Sequence, residues 1–138
     1  MTSKFVYNKP WIVKWVSDKI PGDDTFPLDS PCFGALKDGR LYAAVVYTMH
    51  TPAGVCMNVA GEGNWLNKSF LREAFAIPFE RLGCSRVAGL VRTDNFAAQR
   101  FDEHLGFVRE GLIRQGDDDG CDLIIYGMLK SECRWLGI

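Results

Sequence analysis

The sequence predicts a single α/β domain, residues 1–138, with a mixed and mostly antiparallel sheet, a central parallel strand pair and helices on both faces. Three observations support this prediction. Three apolar segments separated by turn sequences, at 32–36, 41–50 and 55–60, indicate an antiparallel meander. A helix-period segment then separates the strand at 55–60 from another at 86–91, and a strand–helix–strand unit makes its two strands parallel. A chain of this length also has room for one hydrophobic core.

The composition excludes several classes of protein. Apolar residues make up 47% of the chain and charged residues 24%, and the net charge is −1, which is an ordinary globular balance. Lysines and arginines are scattered, so we expect no nucleic-acid partner. No stretch reaches the roughly 18 apolar residues of a membrane helix. The N-terminus lacks the apolar segment of an export signal, so we expect a cytoplasmic protein with no membrane partner.

The cysteines and histidines give no pattern of metal ligands. The five cysteines are widely spaced and include no Cys-x-x-Cys pair, and the two histidines are far apart. Thiols in this arrangement are typical of reduced, mostly buried cysteines in a cytoplasm. We therefore expect no metal site.

The first thirty residues predict a strand, a helix and a loop. A short strand is expected around Phe5 to Tyr7. Asn8 is expected to cap a helix in which Pro10 occupies the first turn, where its missing amide hydrogen has no cost. Residues 21–31 hold three prolines and three aspartates, which is typical of a loop. We interpret these aspartates as a solvated turn in preference to a binding site for a cationic amine.

A second helix is expected from Asn67 onward. Its spacing places four large apolar side chains on one face, namely Leu71, Phe75, Phe79 and Leu82. Pro78 lies inside this pattern, so the helix must kink there or lose the hydrogen bond to the carbonyl of residue 74. Gly83 ends the helix before the strand at 86–91.

The segment from Arg92 to Gly111 carries the most specific pattern in the chain. Asp94 or Asn95 offers a side-chain oxygen to the first amides of a third helix. Gly106 suits a left-handed cap at the end of that helix. A strand is expected to start at Phe107.

The remaining residues are expected to complete the sheet. A turn at 116–120 leads to an apolar strand at 123–129. The tail after this strand carries Trp135 and Leu136, which are expected to dock on the domain itself or on a second subunit. A homodimer is therefore one of the arrangements that the sequence leaves open.

The run Asn95-x-x-Ala98, followed by Leu105-Gly106-Phe107 and Glu110-Gly111, resembles the acetyl-CoA-binding half of the GCN5-related N-acetyltransferases (GNAT). The resemblance covers roughly residues 31 to 130 and is greatest to the subfamily that acetylates protein N-terminal amines and antibiotics. It leads us to expect a small member of phage or prophage type. It implies the GNAT-like sheet described above, with acetyl-CoA as cosubstrate and an amine-bearing protein or small molecule as acceptor.

The same resemblance implies where coenzyme A binds. The amides that begin the second helix would hold its phosphates, with Lys68 adding positive charge. The loop at this place departs from the Arg/Gln-x-x-Gly-x-Gly/Ala pattern of the family and contains Trp65, Leu66, Asn67, Lys68 and Ser69. An ordinary turn is the alternative interpretation of this loop.

The pantetheine arm would lie where the two parallel strands part. Peptide groups of Asn58, Val59 and Ala60 would pair with it as an added strand does. Asn95 would bond the same arm, and the helix behind it would line the cleft through Ala98 and Phe101. Arg100, on the exposed side of that helix, would meet the 3′-phosphate. A plain helix cap at Asn95 and a solvated arginine at 100 are the alternatives.

Direct attack of an amine on a thioester needs a base for the ammonium group, and a proton donor assists the departing thiolate. Glu62 is the expected base because it ends the third strand of the meander near the expected thioester, and Tyr47 is a further catalytic candidate. In the family, a tyrosine three residues before Leu-Gly-Phe often serves as the acid. Asp102 occupies that position here, so the usual acid is missing.

Two functions are consistent with these features. One is an acetyl-CoA-dependent N-acetyltransferase that modifies a primary amine by direct attack. The other is a non-catalytic module that kept the fold for coenzyme A binding or protein interaction. The missing tyrosine and the altered phosphate loop favour the module. The intact segment from Asn95 to Gly111 favours the enzyme, which we prefer.

Overall fold

A central sheet organises the computed structural model, which describes residues 4–20 and 26–137. Within these residues seven strands lie in the order β1-β2-β3-β4-β5-β7-β6. Their bounds are Lys4–Tyr7 (β1), Cys32–Lys37 (β2), Arg40–Thr48 (β3), Gly54–Gly61 (β4), Arg86–Arg92 (β5), Val108–Ile113 (β6) and Leu123–Leu129 (β7). The pair formed by β4 and β5 is parallel, and the other neighbouring pairs of these strands are antiparallel. The predicted fold class is confirmed.

Helices cover both faces of this sheet. They are Pro10–Lys19 (α1), Lys68–Ala76 (α2) and Phe96–Leu105 (α3), with a π-helical turn at Ile77–Arg81 and a 3-10 turn at Lys130–Glu132. Alternate residues of β3 divide between two core layers, because successive side chains of a strand point to opposite faces. Val45 and Tyr47 join the layer beneath α2 and α3. Ala44 and Val46 join the layer beneath α1.

The predicted cap at the start of α1 is wrong. The N-cap residue is Lys9, and its side chain makes no capping hydrogen bond. Asn8 instead has a φ of 53°, a left-handed conformation that asparagine tolerates well. Its side-chain oxygen accepts a hydrogen bond from the backbone amide of Cys32 at 3.1 Å. Asn8 therefore fastens the end of β1 to β2, and this pairing between distant segments displaces the local cap.

Pro78 interrupts the hydrogen bonding of the helix as predicted, and the structure shows which group bonds the carbonyl that it leaves unpaired. Proline cannot donate to the carbonyl of Ala74, and the chain widens into the π-helical turn, where the Leu82 amide donates to the Ile77 carbonyl at 2.9 Å. The Ala74 carbonyl accepts the hydroxyl of Tyr47 at 2.6 Å. Tyr47 is buried, with 1% of its surface exposed. Its hydroxyl thus satisfies the carbonyl that the proline leaves unpaired.

The C-terminal tail docks on its own chain. The indole nitrogen of Trp135 donates to the carbonyl of Leu105 at 2.9 Å, and the guanidinium of Arg134 donates to the carbonyl of His104. Both carbonyls belong to the last turn of α3, where a helix leaves its acceptors unpaired. Of the two docking modes that the sequence allowed for Trp135, the structure therefore has the one on the domain itself.

A buried carboxylate joins α2 to the edge of the sheet. Glu73 is 8% exposed and accepts two hydrogen bonds from the guanidinium of Arg81, at 2.8 and 2.9 Å, and one from the hydroxyl of Tyr7. Burial alone would raise the pKa of Glu73, but these donors outweigh it and lower the pKa. The carboxylate is therefore ionised at neutral pH and stabilises the fold only in that form.

We predict that Glu73→Gln lowers the free energy of unfolding by about 2 kcal/mol, because the amide leaves a donor facing Arg81 and removes the paired charge. Urea denaturation at pH 7 measures this difference. Glu80→Gln is the matched control, since Glu80 is exposed, and it should change stability by less than about 0.5 kcal/mol. Because the pKa of Glu73 is depressed in the folded state, the difference should shrink as the pH falls below about 4. Equal effects from the two variants would contradict this role for Glu73.

Candidate active site

The two parallel strands separate soon after they meet. Gly54, Val55 and Cys56 of β4 pair with Arg86, Val87 and Ala88 of β5, and no further pairs follow between these described strands. β4 nevertheless continues to Gly61 and β5 to Arg92. A Cβ atom on Gly54 would lie 2.5 Å from the carbonyl oxygen of Arg86, so glycine is needed where the strands approach most closely. The result is a V-shaped opening with its closed end at Cys56 and Ala88.

Along the opening, β4 and β5 each stay hydrogen-bonded to the strand on their other side. β4 stays paired with β3 as far as Gly61, and β5 stays paired with β7 over its whole length. The amide of Glu62 donates to the carbonyl of Tyr42 at 2.8 Å, on the β3 side. Peptide groups alternate in direction along a strand, so those of Val59 face the opening and those of Asn58 and Ala60 face β3. Val59 therefore presents a donor and an acceptor that no described strand pairs with, as the edge of a sheet does.

The opening widens into a cleft of about 780 Å³. Seven of the predicted cofactor-binding residues line it, namely Asn58, Val59, Ala60, Trp65, Asn95, Ala98 and Phe101. Phe26 and Pro27, from the loop after α1, and Asp117 and Asp118, from the β6–β7 turn, border the same space. Asp23 and Asp24 of the first loop lie outside the described residues. The cleft thus has one wall near α3 and another near the end of α1.

Asn95 caps α3 and keeps one hydrogen-bonding group free. Its side-chain oxygen accepts from the amide of Ala98 at 3.1 Å, and its own carbonyl accepts from Gln99. Its side-chain NH₂ group has no hydrogen-bond partner among the described residues. Because an asparagine amide carries both a donor and an acceptor, the cap leaves the NH₂ group available to the cleft.

The N-terminus of α2 has the features of an anion site. The side-chain oxygen of Asn67 accepts from the amide of Phe70 at 2.8 Å, while the amides of Lys68 and Ser69 have no partner among the described residues. Leu66, Asn67, Lys68 and Ser69 are all exposed. Free amides at the positive end of a helix dipole attract phosphate. Arg100 is exposed as well, on α3.

Trp65 connects this loop to α3. A Cβ atom on Gly61 would overlap the Trp65 ring, so the ring lies directly on the end of β4. The ring also contacts Phe70 at a centroid distance of 5.4 Å and Phe101 at 5.7 Å. Trp65 therefore forms an apolar bridge over the cleft between the loop and α3.

The two predicted catalytic residues have different surroundings. Tyr47 lies in the core against Ala74 and does not line the cleft, so its placement gives no support to a catalytic role. Glu62 lies beside Gly61 at the cleft and pairs with Lys19 of α1, with 2.5 Å between carboxylate oxygen and ammonium nitrogen. A hydrogen bond from Lys19 lowers the pKa of Glu62, so its carboxylate is ionised at neutral pH.

The backbone arrangement is similar to that of solved N-acetyltransferases. A mutant form of the spermidine/spermine N-acetyltransferase SpeG of Vibrio cholerae aligns with a TM-score of 0.75 and 13% identity, covering 99% of this chain and 98% of that one. Ard1 of Thermoplasma volcanium aligns with a TM-score of 0.69 and 14% identity, covering 94% and 98%. The chain has the GNAT fold.

A third GNAT-fold structure, described only in general terms as an acetyltransferase, is 27% identical with a TM-score of 0.65. The alignment covers 78% of this chain and 61% of that protein. No protein-family model and no curated protein matches the sequence. Among the described residues, no cluster of three or more His, Cys, Asp or Glu side chains is suited to a metal. None of the helices in the described ranges has the length and apolarity to span a membrane.

Sequence reasoning missed the ion pairs that fix the rim of the cleft at the β6–β7 turn. The guanidinium of Arg92, at the end of β5, bonds Asp117 at 2.7 Å, Asp119 at 2.8 Å and Asp94 at 3.0 Å. These bonds tie the β6–β7 turn to the start of α3. The turn sequence identified a hairpin, but nothing in it indicated a distant arginine partner.

Sequence reasoning also treated Asp102 only as the residue that replaces a tyrosine. Asp102 lines the cleft from α3, and one of its carboxylate oxygens lies 3.3 Å from the position that a Cβ on Gly89 would occupy. Burial raises the pKa of Asp102 to about 7, and the nearby Glu103 carboxylate adds to the shift. The sequence at position 102 does not indicate this raised pKa, because the residues that bury Asp102 belong to three other elements, β4, β5 and α2.

We predict that Asp102→Asn stabilises the protein at pH 8 and leaves its stability unchanged near pH 4. The pKa of Asp102 is raised in the folded state, so its contribution is present below the unfolded pKa near 4 and is lost as the pH rises through about 7. A shift of this size corresponds to about 4 kcal/mol, which partial exposure to the cleft reduces to about 2 kcal/mol. Urea denaturation between pH 4 and pH 8 measures the difference.

Asp118→Asn is the matched control for this measurement, because Asp118 borders the same cleft but is exposed. It should show no such change with pH. A pH-independent difference between Asp102→Asn and the wild type would contradict the prediction.

Proposed function

We propose that this chain is an acetyl-CoA-dependent N-acetyltransferase that modifies a primary amine. The observation that carries the proposal is the opening between β4 and β5, where the free edge of β4, the ring of Trp65 and the N-terminus of α3, capped by Asn95, border one cleft. The acceptor is a protein N-terminus, a lysine or a small amine. Two solved proteins with this fold are named as a spermidine/spermine N-acetyltransferase and as an acetyltransferase in general, which supports the reaction class.

Residues of the cleft, together with the exposed segment that follows Trp65 and an exposed arginine of α3, suit the parts of coenzyme A. The amides of Lys68 and Ser69 would hold phosphate oxygens, with the Lys68 side chain adding charge, and the exposed Arg100 would meet the 3′-phosphate. Val59 would pair with the amides of the pantetheine arm, and the side-chain NH₂ group of Asn95 would donate to a carbonyl of the same arm. When bound, acetyl-CoA supplies an acetyl group already activated as a thioester.

The chemistry of the cleft favours direct transfer to the amine. Cys56 is the cysteine at the closed end of the opening, and burial raises the pKa of its thiol. A protonated thiol is a poor nucleophile, so Cys56 does not suit an acetyl-enzyme intermediate. The acceptor amine would therefore attack the thioester carbon itself.

Glu62 is the proposed base for the ammonium group of the acceptor. Its carboxylate is ionised and 45% exposed beside the cleft, as a proton acceptor must be. The ion pair with Lys19 weakens its basicity, so we expect Glu62→Gln to lower kcat/KM by roughly three- to tenfold at pH 7, at the low end for general-base catalysis. The loss should disappear near pH 10, where an aliphatic amine deprotonates without help. Full turnover of Glu62→Gln at pH 7 would refute this role.

Two measurements test the proposed function. Acetyl-CoA should raise the melting temperature, because a ligand that binds only the folded state stabilises it. Thiol release on a panel of peptide N-termini, lysine peptides and polyamines should then identify the acceptor. An unchanged melting temperature at millimolar acetyl-CoA would remove the proposal, and binding without thiol release would identify a coenzyme A-binding module.

In the same assay Asn95→Asp should raise the KM for acetyl-CoA by about tenfold. Aspartate caps a helix as well as asparagine does, so the bond to the Ala98 amide and the stability should be kept. The donor NH₂ group is lost, and a hydrogen bond contributes about 1 kcal/mol, with charge repulsion adding to the effect. Asn95→Ala, which loses the cap as well, should also lower the melting temperature. An unchanged KM for Asn95→Asp would show that Asn95 is only a cap.

A further inference from the structure

One carboxyl group lies at the closed end of the opening and has no function in the reaction described above. Strand pairing ends at Cys56 and Ala88, and Gly89 is the first residue of β5 beyond it. Asp102 reaches toward this residue from α3, with its carboxylate 3.3 Å from the position of a Cβ on Gly89. Glycine at 89 is what leaves space for the carboxyl group beside the strand.

The carboxyl group of Asp102 makes no hydrogen bond or ion pair with any described residue, although its backbone carbonyl accepts from the amide of Phe107 at 3.0 Å. Its surroundings are apolar, from Met57 and Val59 of β4 to Phe70 and Phe75 of α2. Two titratable groups interact with it electrostatically, namely Glu103 on the same helix and the Cys56 thiol on β4. The carboxylate of Glu103 is held by the hydroxyl of Tyr126 at 2.6 Å, which keeps it on the β7 side. Asp102 is thus free to act on a molecule in the cleft.

The side from which each substrate would enter the cleft determines which of its atoms would lie near Asp102. Asp102 lies on the same face of the sheet as α2 and α3, whose N-termini suit the charged end of the cosubstrate. The rim on the opposite side, formed by the end of α1 and the following loop, is left for the acceptor amine. A thioester that entered from the α2 side and reached the closed end would have its sulfur near Asp102.

We propose that Asp102 is the proton donor to the departing coenzyme A thiolate, in the place of a side chain that the sequence lacks. The assignment rests on the proposed acetyl transfer. As the amine nitrogen forms its bond to the acetyl carbon, the carbon–sulfur bond breaks and sulfur keeps the electron pair. The carboxyl proton of Asp102 moves to that sulfur and gives the free thiol. The nitrogen releases its proton to Glu62 or solvent, and water in the open cleft reprotonates Asp102.

The pH profile of the reaction tests this role. Rates are measured with saturating acetyl-CoA and an aliphatic amine whose own pKa is near 10, for the wild type, Asp102→Asn and Asp102→Glu. Asparagine keeps the shape of the side chain but has no proton to transfer, so kcat should fall by about tenfold to a hundredfold below pH 7. The KM for acetyl-CoA should change by less than about threefold, and Asp102→Glu should recover part of the rate.

The ratio of wild-type to Asp102→Asn rates separates a proton donor from a structural residue. It should be constant below pH 7 and fall by about tenfold per pH unit above it, because only the protonated carboxyl of the wild type donates. A ratio near one at every pH, or a large ratio that does not change with pH, overturns the assignment while the acetyltransferase function stands. A wild type that transfers acetyl to no amine of the panel overturns both.

Discussion

The candidate site depends on one constraint in the sheet, which is that β4 and β5 pair over three residues and then part. Pairing across the whole length would bury the peptide groups of Val59 and leave no cleft. The outer pairings of β4 with β3 and of β5 with β7 hold each strand in the sheet, so their inner edges stay open without loss of the fold. Gly54 and Gly89 allow the close approaches on either side of the point of separation.

The orientation of α2 depends on residues far from the cleft. Pro78 removes a hydrogen bond from the helix, and Tyr47 replaces it from the core of the sheet. Glu73 joins the same helix to Tyr7 of the edge strand and to Arg81. These contacts fix the helix at its middle and end, and with it the position of its first amides. Because an anion site made of backbone amides moves with its helix, its position depends on the contacts that fix that helix.

Sequence reasoning predicted the strand order of the meander, the parallel pair and a helix cap at Asp94 or Asn95, of which the structure has Asn95, because each follows from local turn chemistry or periodicity. It failed at Asn8, where pairing with β2 outweighs a local cap. It named Tyr47 as a catalytic candidate because nothing local in the sequence shows that its hydroxyl bonds the Ala74 carbonyl, which is a contact between β3 and α2. It could identify Asp102 as a departure from the family but not describe its surroundings, which come from β4, β5 and α2.

The structure separates two carboxyl groups near the cleft by their environments. Glu62 is exposed and paired with Lys19, which lowers its pKa, while Asp102 is enclosed by apolar side chains, which raise its pKa to about 7. Opposite shifts of this kind divide acid and base roles between like groups. A tyrosine in the position of Asp102 would have a pKa moved by burial from about 10 to still higher values. Burial also raises the pKa of an aspartate, but from about 4 toward neutral pH. The same apolar surroundings that would make a tyrosine a weaker acid therefore keep a carboxyl group protonated near neutral pH, where it can donate its proton.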